Sequence, residues 1–139
     1  MKYEELDTPC LLIDEEILQK NLQEMQEFAR QNKTVLRPHT KTHKMPDIAK
    51  MQEEYGACGI AVAKVGEAEA MAQYGLRDIF IANEIVGVRK WERIAMLARS
   101  IRISFGVDTP CQVVGAERVF AAQQVTVPVL VEIEVVASR

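Results

Sequence analysis

Apolar residues recur along this chain in two alternating rhythms. A short apolar run, Cys10, Leu11, Leu12 and Ile13, ends at Asp14, a residue type whose carboxylate caps helix starts. Helical spacing follows, with Ile17, Leu18, Leu22, Met25 and Phe28 falling three, four and one residues apart. A strand is predicted over 34–36, running on into Arg37, Pro38 and His39. The next helix starts with Pro46 in its first turn, where a missing N–H forfeits no bond. Ile48, Met51 and Tyr55 form its apolar stripe, and Gly56 stops it.

The same alternation continues to the end of the chain. Strands are predicted over 59–63, 78–82, 101–107 and 127–135. Helices are predicted between them over 65–74 (closed by Gly75), 89–99 and 109–123 (Pro110 in its first turn). Trp91 shares a stripe with Ile94, Ala95 and Ala98 and reads as packing. The runs Gly-Ile-Ala-Val-Ala, Asp-Ile-Phe-Ile-Ala and Val-Pro-Val-Leu-Val are nearly continuous in apolar residues, as expected of parallel strands covered on both faces.

Strand–helix alternation at this spacing predicts an α/β fold with a parallel sheet. After the N-terminal strand and helix, the pattern contains five strands with four helices between them. A complete (β/α)8 barrel takes about 250 residues. The expectation is a TIM-barrel type of fold, incomplete in this chain, whose last strand ends bare. Residues 1–139 read as one unit, the N-terminal part of such a barrel, with no linker and no C-terminal β-domain.

Composition narrows the classes of function. The chain is 48% hydrophobic and 27% charged, with a formal net charge of −3, ordinary for a globular protein. No basic stripe suggests nucleic acid as a partner. No apolar run approaches the roughly 20 residues that span a bilayer, and the charged N-terminus lacks the apolar core of a signal peptide. Cys10, Cys58 and Cys111 are too far apart, and odd in number, for a disulfide framework or a zinc pattern. They are expected to be free, buried thiols in a cytoplasmic protein.

Candidate chemistry concentrates in Arg37-Pro38-His39-Thr40-Lys41-Thr42-His43-Lys44. If the strand persists through it, alternation sends Arg37, His39, Lys41 and His43 to one face. Four such groups would be costly in an apolar core but make sense at the C-terminal mouth of a barrel strand. Neighbouring positive charge and partial burial would favour the neutral amine of Lys41, the form that attacks a carbonyl. From composition alone, a solvated basic loop between strand and helix is the commoner reading of such a stretch.

Asp7-Thr8-Pro9, then Leu11-Leu12-Ile13-Asp14, the 21–28 helix and the Pro-His-Thr-Lys-Thr-His-Lys element together resemble the start of the D-threonine aldolase / D-serine dehydratase family. These are alanine-racemase-like, fold type III, pyridoxal-phosphate barrels. Val65-Gly66-Glu67-Ala68-Glu69-Ala70-Met71, Ile81-Ala82-Asn83-Glu84 and Val131-Glu132-Ile133-Glu134 extend the likeness over essentially the whole chain.

The resemblance implies a lyase acting on D-amino acids, with Lys41 forming the internal aldimine with pyridoxal 5′-phosphate and then serving as a base at the substrate Cα. It implies that Arg139 hydrogen-bonds the phenolic oxygen of the cofactor, and that His39 and His43 flank the lysine as pocket residues. It also implies a homodimer and a divalent metal, whose ligands, like the phosphate loops, lie outside these 139 residues. The family usually places a glycine after the acidic strand end; here Val136 intrudes, bringing a β-branched side chain beside the Arg139 segment.

Aldolase, dehydratase and racemase chemistry remain open at this level. Two other readings stand beside them: a non-catalytic pyridoxal-phosphate-binding barrel, and an inactive fragment that associates through open sheet edges. Glu67 and Glu69 read as first-turn residues favoured by the helix dipole, and Asp108 as a turn or N-cap residue. Asn83 and Glu84 are candidate pocket-wall residues on the mouth side.

Overall fold

The computed structural model describes residues 2–133. Four parallel strands, β1 (Ile60–Val62), β2 (Asp78–Glu84), β3 (Arg102–Val107) and β4 (Val129–Val131), lie side by side in the order β1-β2-β3-β4. The helices are α1 (Glu15–Gln31), α2 (Pro46–Glu54), α3 (Val65–Gln73), α4 (Val88–Ala98) and α5 (Pro110–Gln123). Among the described residues each strand but β4 is followed in sequence by a helix. This is an incomplete α/β barrel of the expected type. No helix among the described residues is long and apolar enough to cross a membrane.

The predicted strand ahead of β1 is only partly realised. Residues 34–39 are extended beside β1, where Leu36 O accepts the Cys58 N–H at 2.9 Å and Pro38 O accepts the Ala61 N–H at 2.7 Å. A single parallel bridge, His39 with Ala61, completes the pairing. Pro38 has no N–H to donate, so a full ladder cannot form there.

Local signals explain the helix ends. The Asp14 carboxylate accepts the Ile17 N–H at 3.0 Å and caps α1, and Pro46 and Pro110 occupy first-turn positions as expected. Ahead of α5 the cap is Thr109 rather than Asp108. The buried Gln112 side chain reaches back to accept the N–H groups of Asp108 (2.9 Å) and Thr109 (3.2 Å).

The core lies between the sheet and its helices. Ile60, Val62, Ile79, Ile81, Ile103 and Phe105 are buried on the helix-facing side of the sheet. Trp91 packs into this layer, as its stripe predicted, and donates its indole N–H to Ile85 O at 3.1 Å. Such a donor needs a buried acceptor, since an unmade bond there would cost the full desolvation of the group.

Three expectations are corrected. The strands are covered on one face, not two: Phe80 is half-buried, and Ala82 and Leu130 are exposed on the opposite side. The apolar run therefore reports an inner barrel face over which no layer lies among the described residues. The run from Cys10 to Ile13 forms no strand, with Leu11 99% exposed, and the stripe of α1 is equally bare at Ile17, Met25 and Phe28. Finally, the three cysteines are free but exposed, because they fall in the unpaired N-terminal run, in the turn before β1 and on the outer side of the first turn of α5.

Candidate active site

The inner face of the sheet borders an open cavity of about 540 Å³, lined by residues that include Arg37, His39, Phe80, Ala82, Ser104 and Leu130. Its two ends differ in chemistry. At the N-terminal end, Arg37 donates to the Asp78 carboxylate at 2.7 Å, and Arg102 lies 3.5 Å from the other carboxylate oxygen. Asp78 and Arg102 are the first, mutually paired residues of β2 and β3. Arg37 is therefore held at the floor of the sheet, away from Lys41, and the expected four-group face does not form.

The face breaks for a local reason. His39 Nδ1 accepts the Lys41 N–H at 3.1 Å and starts a 3-10 turn over Thr40–Thr42, which the His43 and Lys44 N–H groups close onto Thr40 O. Three residues per turn replace the two of a strand, so alternation is lost after His39. Thr40 turns inward and is fully buried, while Lys41 is exposed rather than partly buried. His43 is half-buried, and its Nδ1 accepts the Met45 N–H at 3.0 Å.

Lys41 nevertheless stands at the chemically expected end. It lies two residues beyond the His39–Ala61 bridge, at the same pole as the C-terminal ends of the four strands. Asn83 and Glu84 share that pole: Asn83 Nδ2 donates to Ala63 O at 3.2 Å, and the Glu84 carboxyl is held low by a hydrogen bond with Glu132. Both line a separate recess at the ends of β1 and β2, not the inner cavity.

Electrostatics around the turn are set by two lysines and one glutamate. Burial pushes the His39 imidazole below its ordinary value, and the charges of Lys41 and Lys44 push it further. Burial also lowers His43. Burial alone would raise the Glu67 carboxyl, but hydrogen bonds from Lys44 and the Ala63 N–H outweigh it and hold Glu67 low. Lys44 pairs with Glu67, whereas Lys41 forms no ion pair among the described residues.

Glu67 and the Asp78 cluster were not legible as partners in the sequence. Lys44 and Glu67 are 23 residues apart, and Arg37 and Asp78 are 41 apart, so no spacing rule links them. Glu69, expected in the first turn, falls beyond it and accepts instead from the Arg93 Nε at 2.7 Å across to α4. Arg139 and the neighbouring Val136 lie outside the described residues.

Both imidazoles bind protons more weakly folded than unfolded, so the unfolded chain takes up more protons as pH falls and stability falls with it. The melting temperature is expected to drop between about pH 7 and pH 5. Replacing His43 with asparagine, whose amide oxygen can still accept the Met45 N–H, should reduce that slope. Melting curves at both pH values, followed by circular dichroism, provide the check; an unchanged slope assigns the effect to other groups.

Comparison with known proteins bears on this site. The family model for the alanine racemase N-terminal domain matches residues 13–139. The D-threonine aldolase of Arthrobacter sp is 38% identical over 134 residues, which cover 96% of this chain and 35% of that protein. The crystal structure of D-threonine aldolase from Filomicrobium marinum superposes with a TM-score of 0.92 at 40% identity, covering 96% of this chain and 36% of that one. D-threo-3-hydroxyaspartate dehydratase from Delftia sp. HT23 gives 0.84 at 29% identity, covering 91% and 34%. This chain spans about a third of the length of these relatives. A barrel sheet with a lysine at its C-terminal pole, and a family match over nearly the whole length, agree: the chain belongs to the alanine racemase N-terminal domain family.

Proposed function

We propose that this chain is the lysine-bearing part of a pyridoxal-phosphate-dependent lyase that acts on β-hydroxy D-amino acids, with Lys41 as the covalent anchor. The observation that carries the reading is the state of the Lys41 amine: exposed at the C-terminal pole of the sheet and without an ion-pair partner among the described residues. Support comes from the family match and from two kinds of relative named for D-amino-acid chemistry, an aldolase and a dehydratase. A cytoplasmic location and a homodimeric assembly belong to the same proposal.

The donor set fits an aldehyde-bearing cofactor. An exposed primary amine is the group such a cofactor needs, and the inner cavity, which His39 lines two residues before Lys41, is walled by the small or apolar Ala82, Phe80 and Leu130. When bound, pyridoxal 5′-phosphate supplies a carbonyl that condenses with an amine and a ring that accepts the electron pair released at the substrate Cα. Lys41 would hold the cofactor and, as a free amine, would take or return a proton at the substrate Cα. Its backbone is held by the His39 ring, which keeps the turn in register with β1. The divalent metal implied by the resemblance finds no group of three ligating side chains among the described residues, and no step is assigned to it.

Trapping tests the reading. After incubation with pyridoxal 5′-phosphate and reduction with borohydride, mass spectrometry is expected to locate the adduct on Lys41. Replacing Lys41 with alanine should lower total labelling by at least about tenfold, since the anchoring nucleophile is gone. If Lys41 stays unlabelled in the folded protein, the assignment is wrong.

A further inference from the structure

The turn that carries Lys41 brings a second primary amine, Lys44, to the same end of the sheet. Its backbone N–H is bonded to Thr40 O at 2.7 Å, and it adopts a left-handed φ of 54°. Lys44 and Lys41 both act on the imidazole of His39, which lines the inner cavity, although neither lysine lines it. Within this turn an aldehyde meets two amines of identical intrinsic chemistry, with Lys64 standing apart at the start of α3. Exposure does not choose between them, since both residues are exposed.

Their partners differ. One oxygen of Glu67 is bound to the Lys44 ammonium, and the other accepts the Ala63 N–H at 2.8 Å. The Glu67 side chain is only 15% exposed, against 58% for Lys44. The carboxylate is therefore anchored where β1 passes into α3, and it cannot follow Lys44 outward without giving up the backbone bond. A carboxylate in the first turn of α3 is also favoured by the helix dipole, which adds a second reason for it to stay.

We infer that Glu67 is a positioning residue that selects between the two amines of the turn, tying the Nζ of Lys44 down and leaving that of Lys41 free to reach a carbonyl carbon. The inference rests on the proposed role of Lys41 and deepens it. In the selected step the Lys41 nitrogen adds to the aldehyde carbon and the carbonyl oxygen departs as water, leaving a C=N bond. Borohydride then delivers hydride to the carbon and solvent a proton to the nitrogen, which fixes the choice as a stable secondary amine.

The experiment compares the ratio of the two adducts, read by fragmentation mass spectrometry after trapping with pyridoxal 5′-phosphate and borohydride. In the unaltered protein the adduct is expected mainly on Lys41. Glu67→Gln keeps the size and the acceptor for Ala63 N–H but removes the charge. It should raise the Lys44-to-Lys41 ratio by about fivefold, the factor that a partly exposed ion pair is worth. In a Lys41→Ala background, the Lys44 adduct should rise by a similar factor, about fivefold, when Glu67→Gln is also present. Should circular dichroism show Glu67→Gln unfolded, Glu67→Asp serves instead, because the shorter side chain cannot span Lys44 and Ala63 together and the same rise follows. Total labelling that falls while the ratio stays within twofold assigns Glu67 a purely structural role and overturns the inference. No adduct on Lys41 in the unaltered protein overturns the cofactor reading itself, and this inference with it.

Discussion

Gly59→Ala is expected to destabilise the fold by about 3 to 5 kcal/mol, combining left-handed backbone strain with a steric clash. Gly59 sits at φ +134°, a conformation that side chains with a Cβ rarely adopt. A Cβ built there would lie 2.5 Å from Asp78 O, 2.8 Å from Asp78 Cβ and 2.6 Å from Arg37 Nη1. The first two belong to the start of β2 and cannot swing aside as a surface side chain would. Relief would have to come from separating β1 from β2 or from expelling Arg37. Either movement breaks the 2.7 Å contact of Arg37 with Asp78 and unseats the extended segment that carries His39 and Lys41. Urea unfolding followed by tryptophan fluorescence measures the loss through the midpoint. A change below about 1 kcal/mol would show that the junction yields in a way this geometry does not allow.

Phe105→Ala should produce a loss of similar size, about 3 to 5 kcal/mol, through transfer and cavity terms together. Phe105 has no solvent exposure, occupies the middle of β3 between Ile81 of β2 and Val129 of β4, and meets Phe120 of α5 edge to face at 6.1 Å and 73°. It thus ties the sheet to the last helix, and its deletion leaves a void that rigid strands on both sides cannot close. The pair can be isolated with Phe120→Ala and the double variant, whose coupling is expected at about 1 kcal/mol. Because domains of this kind are stable by only about 5 to 15 kcal/mol, the single change is expected to lower the melting temperature visibly in circular dichroism. A loss under about 1.5 kcal/mol would mean that the helix layer collapses into the space.

The alternation of strands and helices was legible because it depends on near neighbours. Asp14, Pro46, Pro110 and the glycines at 56 and 75 mark ends by their own backbone chemistry, and the apolar stripes of α2 and α4 follow from local periodicity. The same reasoning overreached wherever an apolar pattern needed a partner. Leu11, Met25 and Phe28 are patterned for burial, yet a pattern cannot say whether anything covers it.

Lys41 and its end of the sheet could be picked out from the motif and its resemblance, but not the arrangement around it. Strand periodicity put Arg37, His39, Lys41 and His43 together; a single bond from the Lys41 N–H to the His39 ring is enough to end that periodicity and send them to different surroundings. The element types, their order and the lysine proposed as the anchor were legible from residue chemistry acting over a few positions. Which carboxylate meets which cation, Glu67 with Lys44 and Asp78 with Arg37, was decided only when the strands came side by side. Contacts across tens of residues leave no period in the chain, because they are selected by the register of the sheet and by what each buried charge can reach.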